Sequence, residues 1–543
     1  MKSDITRDTF AVGKHFSRVI SQQGRVTLDA DGNEQTAILL HYLRTLAVDL
    51  VGPYAAPVMA AGFRLSKDTD ERIWISQGRY YVDGILVENE SSTLYTQQPH
   101  YPLKSDDAFA KAIDDRKNAD YWVYLDVWER HVTALEDDTI REKALGGSDT
   151  CTRGQVVWQV KALDLDVNIV AAAKTKQQEW LNSKKSKLQA NLAKAKGPVE
   201  SELIQKEFNK VSRQLDTLNQ ELKTCDDPLG QLLPCSDASV GARVDPGPQI
   251  TDACITSPDS KYRGAENQLY RVEIHRGGIA GEATFKWSRE NGSVATAWLG
   301  TSGHDLEVAN SRGFSAGNWV ELIDDVAELR GIPGLLVRLA KVETGRLSVN
   351  PEALASTDGL QWNETLVNPK VRRWDQFETE DLVLEDDGSI LIQETPVGAS
   401  DSVANWIDLE DGIQVQFAEG GFYRTGDYWL IPARVATGKV EWPAPATDAS
   451  GTITTHLSPH GVVHHFAPLG FASWLSEDLS ITPCDCEFEP LSSCFSPASM
   501  AIGADRRRVV TGPTAVPGQG TVEPATPKQG SARGKKPKVT PTH

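Results

Sequence analysis

The sequence predicts a mainly β chain, made of β-sandwich or barrel-like subdomains, with an inserted antiparallel α-helical coiled-coil hairpin. Three observations predict it. Short period-two runs broken by Gly-containing turns recur before residue 165 and after residue 262. Between them lies a stretch rich in Ala, Lys, Gln, Leu and Glu with a heptad seam. Beyond residue 504 aromatic residues vanish and six prolines accumulate, as in a chain that cannot bury a core. The expected organisation is a helix plus β-rich domain over 1–165, a helical hairpin over 166–225 and a Cys-containing loop over 226–261. A second β-rich domain over 262–470 follows, then a Cys-containing extension over 471–503 and a disordered basic Pro-rich tail over 504–543.

The first element is helical. In QTAILLHYLRTLAVDL (35–50), Ile38, Leu39, Tyr42, Leu43, Leu46 and Leu50 recur at three and four, the spacing of one helix face, and Gly52-Pro53 stops the run. Ahead of it, Val26–Leu28 reads as a short strand between Gly24 and Gly32, so the helix is expected to begin at Gln35. From Arg72 to Glu88 the period becomes two. Gln77-Gly78 marks one turn, and Asp83-Gly84 a type I′ turn, whose two central residues need positive φ. YWVYLDVW (121–128) and QVVWQVK (155–161) are further strands.

In the inserted segment Ile204, Phe208, Val211, Leu215, Leu218 and Leu222 alternate steps of four and three. Leu181, Leu188 and Leu192 on the preceding arm match them, and Gly197-Pro198 sits at the reversal. The first arm carries Lys174, Lys176, Lys184, Lys185, Lys187, Lys194 and Lys196 against one Glu. Its lysine face is therefore a candidate for docking an acidic neighbour. After the loop, LYRVEIH and EATFKWSRENGSVATAWL read as two hairpins, the second turning at Asn291-Gly292. Residues 318–350 and 371–445 repeat short strands at the rhythm of a sandwich or barrel.

Charge and composition exclude several classes. The 543 residues carry 56 basic against 75 acidic side chains, a formal net charge of -19, which argues against nucleic acid or an anionic membrane as the main partner. No apolar run approaches the ~20 residues of a membrane span. MKSDITRDTF has no apolar signal region, so cytoplasmic synthesis is expected. Seven cysteines do not describe a disulfide scaffold at this length.

P-loop, HExxH and strand-linked GxGxxG motifs are absent from the sequence, and GFSAG (313–317), which has the GxSxG spacing, leads into the strand-patterned NWVELI rather than into the helix of a nucleophile elbow. His456, His460, His464 and His465 are near enough in sequence to share a cation, but Pro459 and Gly461 break the helix that would align them. Cys484, Cys486 and Cys494 suit a structural thiol or disulfide better than zinc, because CxC without a second pair is a poor zinc spacing. Neither group is expected to hold metal, and no cofactor is expected. Carboxylates such as Glu129, Glu136, Glu290 and Glu410 read as a solvated acidic surface, and the strand tryptophans as core.

Four strings carry a resemblance: KHFSRVISQQGRVTLDADGNEQ (14–35), YWVYLDVWERHVTALEDDTIREKALGG (121–147), YRGAENQLYRVEIHRGGIAGEATFKWSRENGSV (262–294), and WIDLEDGIQVQF with YRTGDYWLIPARVATGKVEWP (406–443). Their order and wording resemble a bacterial domain-of-unknown-function family associated with phage-tail-like particles and extracellular contractile injection systems. The resemblance implies a baseplate, fibre or surface-associated structural protein of such a particle, carried outside the cell on it, and supplies no catalytic residues. Implied partners are other particle components and further copies of the chain. The competing reading is a carbohydrate-binding or carbohydrate-active protein at a cell envelope, with an envelope glycan as partner.

Overall fold

The strand Ala119–Val132 shows how the first β-region is built. Tyr121, Val123, Leu125 and Val127 enter one apolar core, while Trp122 and Tyr124 on the opposite pleat face a second cluster with Phe466 and Phe471. It pairs antiparallel with Arg153–Asp164 on one side and with His464–Leu475 on the other, and Asp478–Pro483 extends the sheet. Residues 464–483, read from sequence as the end of the second β-region and its extension, thus complete the first. A period-two pattern fixes which residues face the core and leaves open which distant strand lies alongside.

The computed structural model describes residues 1–70, 72–102, 107, 109–111, 119–165, 167–195, 197–218, 236–247, 261–350, 362–380, 382–396, 405–448, 451–475, 478–484 and 486–490. Contacts divide the chain into Met1–Glu489 and Pro490–His543. The tail, Cys225, Cys235, Cys254 and Cys494 lie outside the described residues. The described residues are mainly β, and none of their helices is long and apolar enough to cross a membrane.

A β-hairpin packs on the first core. Gly78–Val82 and Ile85–Asn89 turn at Asp83 (φ 46) and Gly84 (φ 76), the expected type I′ geometry. Gly84 also has a packing reason: a Cβ there would meet the backbone of Arg44 at 2.3 Å. Helix α1, Asp29–Val51, crosses the hairpin at that point. The helix begins six residues before the expected Gln35 and absorbs Val26–Leu28's neighbour Gly32; Val26–Leu28 is not a strand. Asp29 and Asp31 in its first turn suit the positive end of the helix dipole.

The second β-region divides into a sandwich and a barrel. The sandwich core lies between a sheet containing Gln268–Arg276, Thr284–Ser288 and Tyr428–Arg434 and a sheet built on Ile413–Ala418. Tyr270, Val272, Ile274, Phe285, Trp287 and Trp429 fill it from the first sheet, Val415 and Phe417 from the second. The second sheet includes Val240–Val244, which pairs with Ile413–Ala418; part of the expected loop 226–261 is therefore a buried strand. Six strands from Ala295 to Trp374 close a small barrel around Trp298, Leu306, Val320, Leu322, Val337 and Leu347. Asn291 (φ 53) and Gly292 (φ 63) do form a turn. The strands it joins belong to different layers, since Thr284–Ser288 pairs in the sandwich and Ala295–Ser302 in the barrel.

Helices α2 (Val167–Leu192) and α3 (Pro198–Leu218) occupy the inserted segment. Leu181 and Leu188 meet Ile204, Val211, Leu215 and Leu218 in one buried cluster. Pro198 opens α3, where a missing N–H costs nothing. Leu222 lies outside the described residues. Helix α4, Asp325–Leu329, is capped by Asp324, whose side chain accepts from the Ala327 N–H at 2.9 Å.

Candidate functional site

A cleft of about 970 Å³ opens where the first sheet meets the sandwich and the barrel. Asp126, Trp128, Arg130 and Lys161 line it from the first sheet, Arg271, Glu273 and Lys286 from the sandwich, and Glu321 and Arg372 from the barrel. These charges alternate with core residues along their strands, so each strand buries apolar groups on one face and presents charge on the other.

The charges are matched to one another. Register sets Glu273 opposite Lys286 and Glu321 opposite Arg372. Lys286 Nζ lies 2.5 Å from Glu321 and 3.4 Å from Glu273, and Arg271 Nε donates to Glu273 at 2.6 Å. Lys2 Nζ lies 3.1 Å from Glu273. Burial alone would raise the Glu273 carboxyl; Lys2, Arg271 and Lys286 outweigh it and hold it well below the usual range. Glu321, under the same opposition of burial by Lys286 and Lys2, falls to about 2.

A second group joins the barrel to the first sheet. Glu136, Asp325 and Glu328 bring carboxylate oxygens within 4.8 Å of one another, the geometry of a cation site. The cation there is Lys370, whose Nζ lies 2.5, 3.3 and 2.9 Å from them. Arg130 adds contacts of 2.5 Å to Asp325 and 3.4 Å to Glu328. With an ammonium group at the focus, a metal ion would have to displace a buried lysine. Lys286–Glu321, Lys370–Glu136 and Arg130–Asp325 each cross between regions, so the pairs fasten sandwich, barrel and first sheet together. Among the lining residues nine are basic and six acidic, which favours an anionic occupant over a cationic one.

The histidines singled out from sequence are drawn to separate partners. His456 is half-buried beside Gly241. His460 stacks on Tyr428 and its Nδ1 faces the Leu430 N–H at 3.4 Å. His464 Nδ1 lies 2.7 Å from Asp126 Oδ1, with the ring stacked on Trp128, and His465 Nδ1 lies 2.8 Å from Asp83 Oδ2. Cys484 is buried and disulfide-bonded, its partner lying outside the described residues; Cys486 is half-buried nearby.

The lysine arm meets acidic groups of its own chain. Lys184 is buried, 2.8 Å from Asp237, and Lys187 lies 3.4 Å from Glu419. Trp180 packs edge-on against Phe422, so α2 is seated on the sandwich at this point. Lys184 is therefore not available to dock a neighbour, a correction whose cause is the acidic loop end that the sandwich brings beneath α2. Lys185 lies over the Phe208 ring, Lys174 is half-buried and Lys194 is exposed. The side chains of Lys176 and Lys196 lie outside the described residues.

Among the described residues, one apolar surface stands exposed. On α1 only Ala30 and Ile38 are buried, while Leu39, Leu43, Leu46 and Leu50 are more than half exposed, Leu43 at 62%. The preceding arm, residues 9–28, exposes Phe16, Ile20 and Val26, the last at 84%. The segment before the arm is held to the body, since Lys2 and Ile5 join the sandwich, and at the arm's middle Val19 N–H donates to Gln35 on α1 at 2.8 Å.

Comparison with known proteins places the chain by family alone. The profile of a family of unknown function, DUF6519, matches residues 1–543, and the chain belongs to that family. No curated protein matches it. Among solved structures it is similar to one titled "Crystal structure of TssK", with 9% identity, covering 66% of this chain and 96% of that one, at a TM-score of 0.15. A score that low carries no argument about this fold.

Proposed function

We propose that this DUF6519 member is a non-enzymatic structural component of a phage-tail-like contractile injection particle, associated with its baseplate, fibres or surface. It is made in the cytoplasm and carried outside on the particle. The assignment to such a particle comes from the four strings that resemble its associated family. The observation that carries the structural role is the uncovered apolar surface of α1 and its arm. Scattered apolar groups are ordinary on a protein surface; a contiguous stripe along a helix marks an association face. The cleft supports the same role, because its carboxylates are engaged in cross-region ion pairs rather than left as an acid and a base across a groove.

The test is fractionation of particles from the producing cells. The chain should co-sediment with sheath and tube proteins at a fixed ratio. Its recovery only in the slow soluble fraction would contradict the proposal.

One observation favours the glycan reading. Burial pushes the Glu410 carboxyl up to about 7, against the opposing Arg289 at 2.8 Å, and a carboxyl that keeps its proton near neutrality is what a general acid needs. Release of reducing sugar from envelope polysaccharide, lost in Glu410→Gln, would establish that reading.

A further inference from the structure

We propose that the N-terminal arm of one copy lies on α1 of a second copy, so that two chains exchange arms. The proposal rests on the reading of the α1 surface as an association face and names its occupant. Two features select a second copy. The first is complementarity within the chain itself. Residues 9–28 contain Lys14, Arg18 and Arg25 and no acidic residue, whereas α1 carries Asp29, Asp31, Glu34 and Asp49 against a single Arg44. Arg44 is already paired with Glu129 at 3.0 Å. A basic apolar strip and an acidic apolar strip are thus displayed side by side on one molecule, each the chemical counterpart of the other.

The second feature is area. The arm's own contacts with α1, through Thr9 to Glu34 at 2.6 Å, Phe10 beside His41 at 5.8 Å and Val19 to Gln35 at 2.8 Å, leave Phe16, Ile20 and Val26 exposed. Leu39, Leu43 and Leu46 stay exposed as well. Together with their neighbours these groups amount to on the order of 1,000 Å² of mostly apolar surface per copy, above the roughly 800 Å² per partner of a stable interface and beyond the roughly 300–600 Å² patch of a typical monomer. A reciprocal exchange covers both strips on both copies at once, with the same contacts made twice about a two-fold axis.

The test uses the full chain. Sedimentation velocity at tens of micromolar should show a dimer. Phe16→Asp/Ile20→Asp in the arm, or Leu39→Asp/Leu43→Asp in α1, should each weaken it at least tenfold with the melting temperature unchanged, since all four side chains are exposed in one copy. Mixing the two variants should partly restore a dimer, because the intact arm of one fits the intact helix of the other and completes one of the two contacts. A photo-crosslinker at position 16 should yield a product of twice the chain mass whose joined peptide contains Leu43. A monomeric wild-type chain, a crosslink confined to one chain, or no rescue on mixing would overturn the exchange. Failure of the particle assignment reads differently: a dimer that never co-sediments with particles keeps the exchange and removes the particle, whereas a monomer that co-sediments does the reverse.

Discussion

Two helical regions stand outside the β-layers, and they treat their apolar faces in opposite ways. The α2–α3 pair closes its own seam: Leu188 is 2% exposed and Ile204 fully buried, and Lys184 is seated against Asp237 of the sandwich. Helix α1 has as clear a stripe, yet Leu43 and Leu46 face solvent and its anchorage comes from Ile38, the crossing over Gly84 and the Arg44–Glu129 pair. A helix draws most of its stability from packing of its apolar face. The pair satisfies that need within the chain, while among the described residues α1 leaves most of its stripe exposed. The lysine-rich insertion spends Lys184 on its own chain, and the association we propose falls to the N-terminal region.

The largest effect that would sharpen this contrast is Leu188→Asp. A carboxylate at that buried position should cost about 3–5 kcal/mol, enough to unfold the helix pair, and protease mapping should show new cuts within 167–218. Next comes Lys184→Met, which leaves the buried Asp237 carboxylate without its ammonium. A loss of about 2–4 kcal/mol in urea unfolding is expected, against under ~0.5 kcal/mol for Lys187→Met, whose side chain is 60% exposed. Equal effects from the two would break the claim that α2 is seated on the body through Lys184.

Acid should weaken the body. Burial lowers the imidazoles of His131, His275 and His456 to about 3, about 4 and about 4. Their folded-state pKa lies below that of the unfolded chain, so the stability they contribute is full above about pH 6.5 and is lost as pH falls through that window. Asp427 acts with the opposite sign: burial raises it to about 6, so its contribution is full below about pH 4 and lost as pH rises through 6. The His456→Gln variant should flatten the stability slope between pH 6 and pH 4 by about 1.4 kcal/mol per unit, measured by urea unfolding. An unchanged slope would show that His456 is protonated in the folded chain. The smallest effect belongs to α1: Leu43→Asp should shift unfolding of the single copy by less than ~0.5 kcal/mol while weakening association. A large loss of stability there would place Leu43 in the fold's own core instead.

Local pattern made much of the architecture legible. The period-two runs, the type I′ turn at Asp83-Gly84 and the seam of α2 and α3 are properties of neighbouring residues, and each appears where the spacing puts it. Partner choice across hundreds of residues was not legible. Nothing in HHFAPLGFASWL says that it pairs with Ala119–Val132, or in VGARV that it enters the sandwich. Lys286, Glu321 and Lys370 escaped notice for a related reason: on a strand, a charge that meets its counter-charge in a buried seam has the same spacing as one facing water. The alternation in EATFKWS and KVRRW, with charged residues beside buried tryptophans, is the one trace they leave. Exposure of α1 was hidden too, because a sequence displays an apolar stripe without showing what lies against it.

The most direct test of the central claim is quantitative mass spectrometry of purified particles from cells making the wild-type chain or Leu39→Asp/Leu43→Asp at equal levels. The account predicts a fixed number of wild-type copies per particle, and loss of the variant from particles although its melting temperature is unchanged. Particles that form normally and contain neither chain would contradict it.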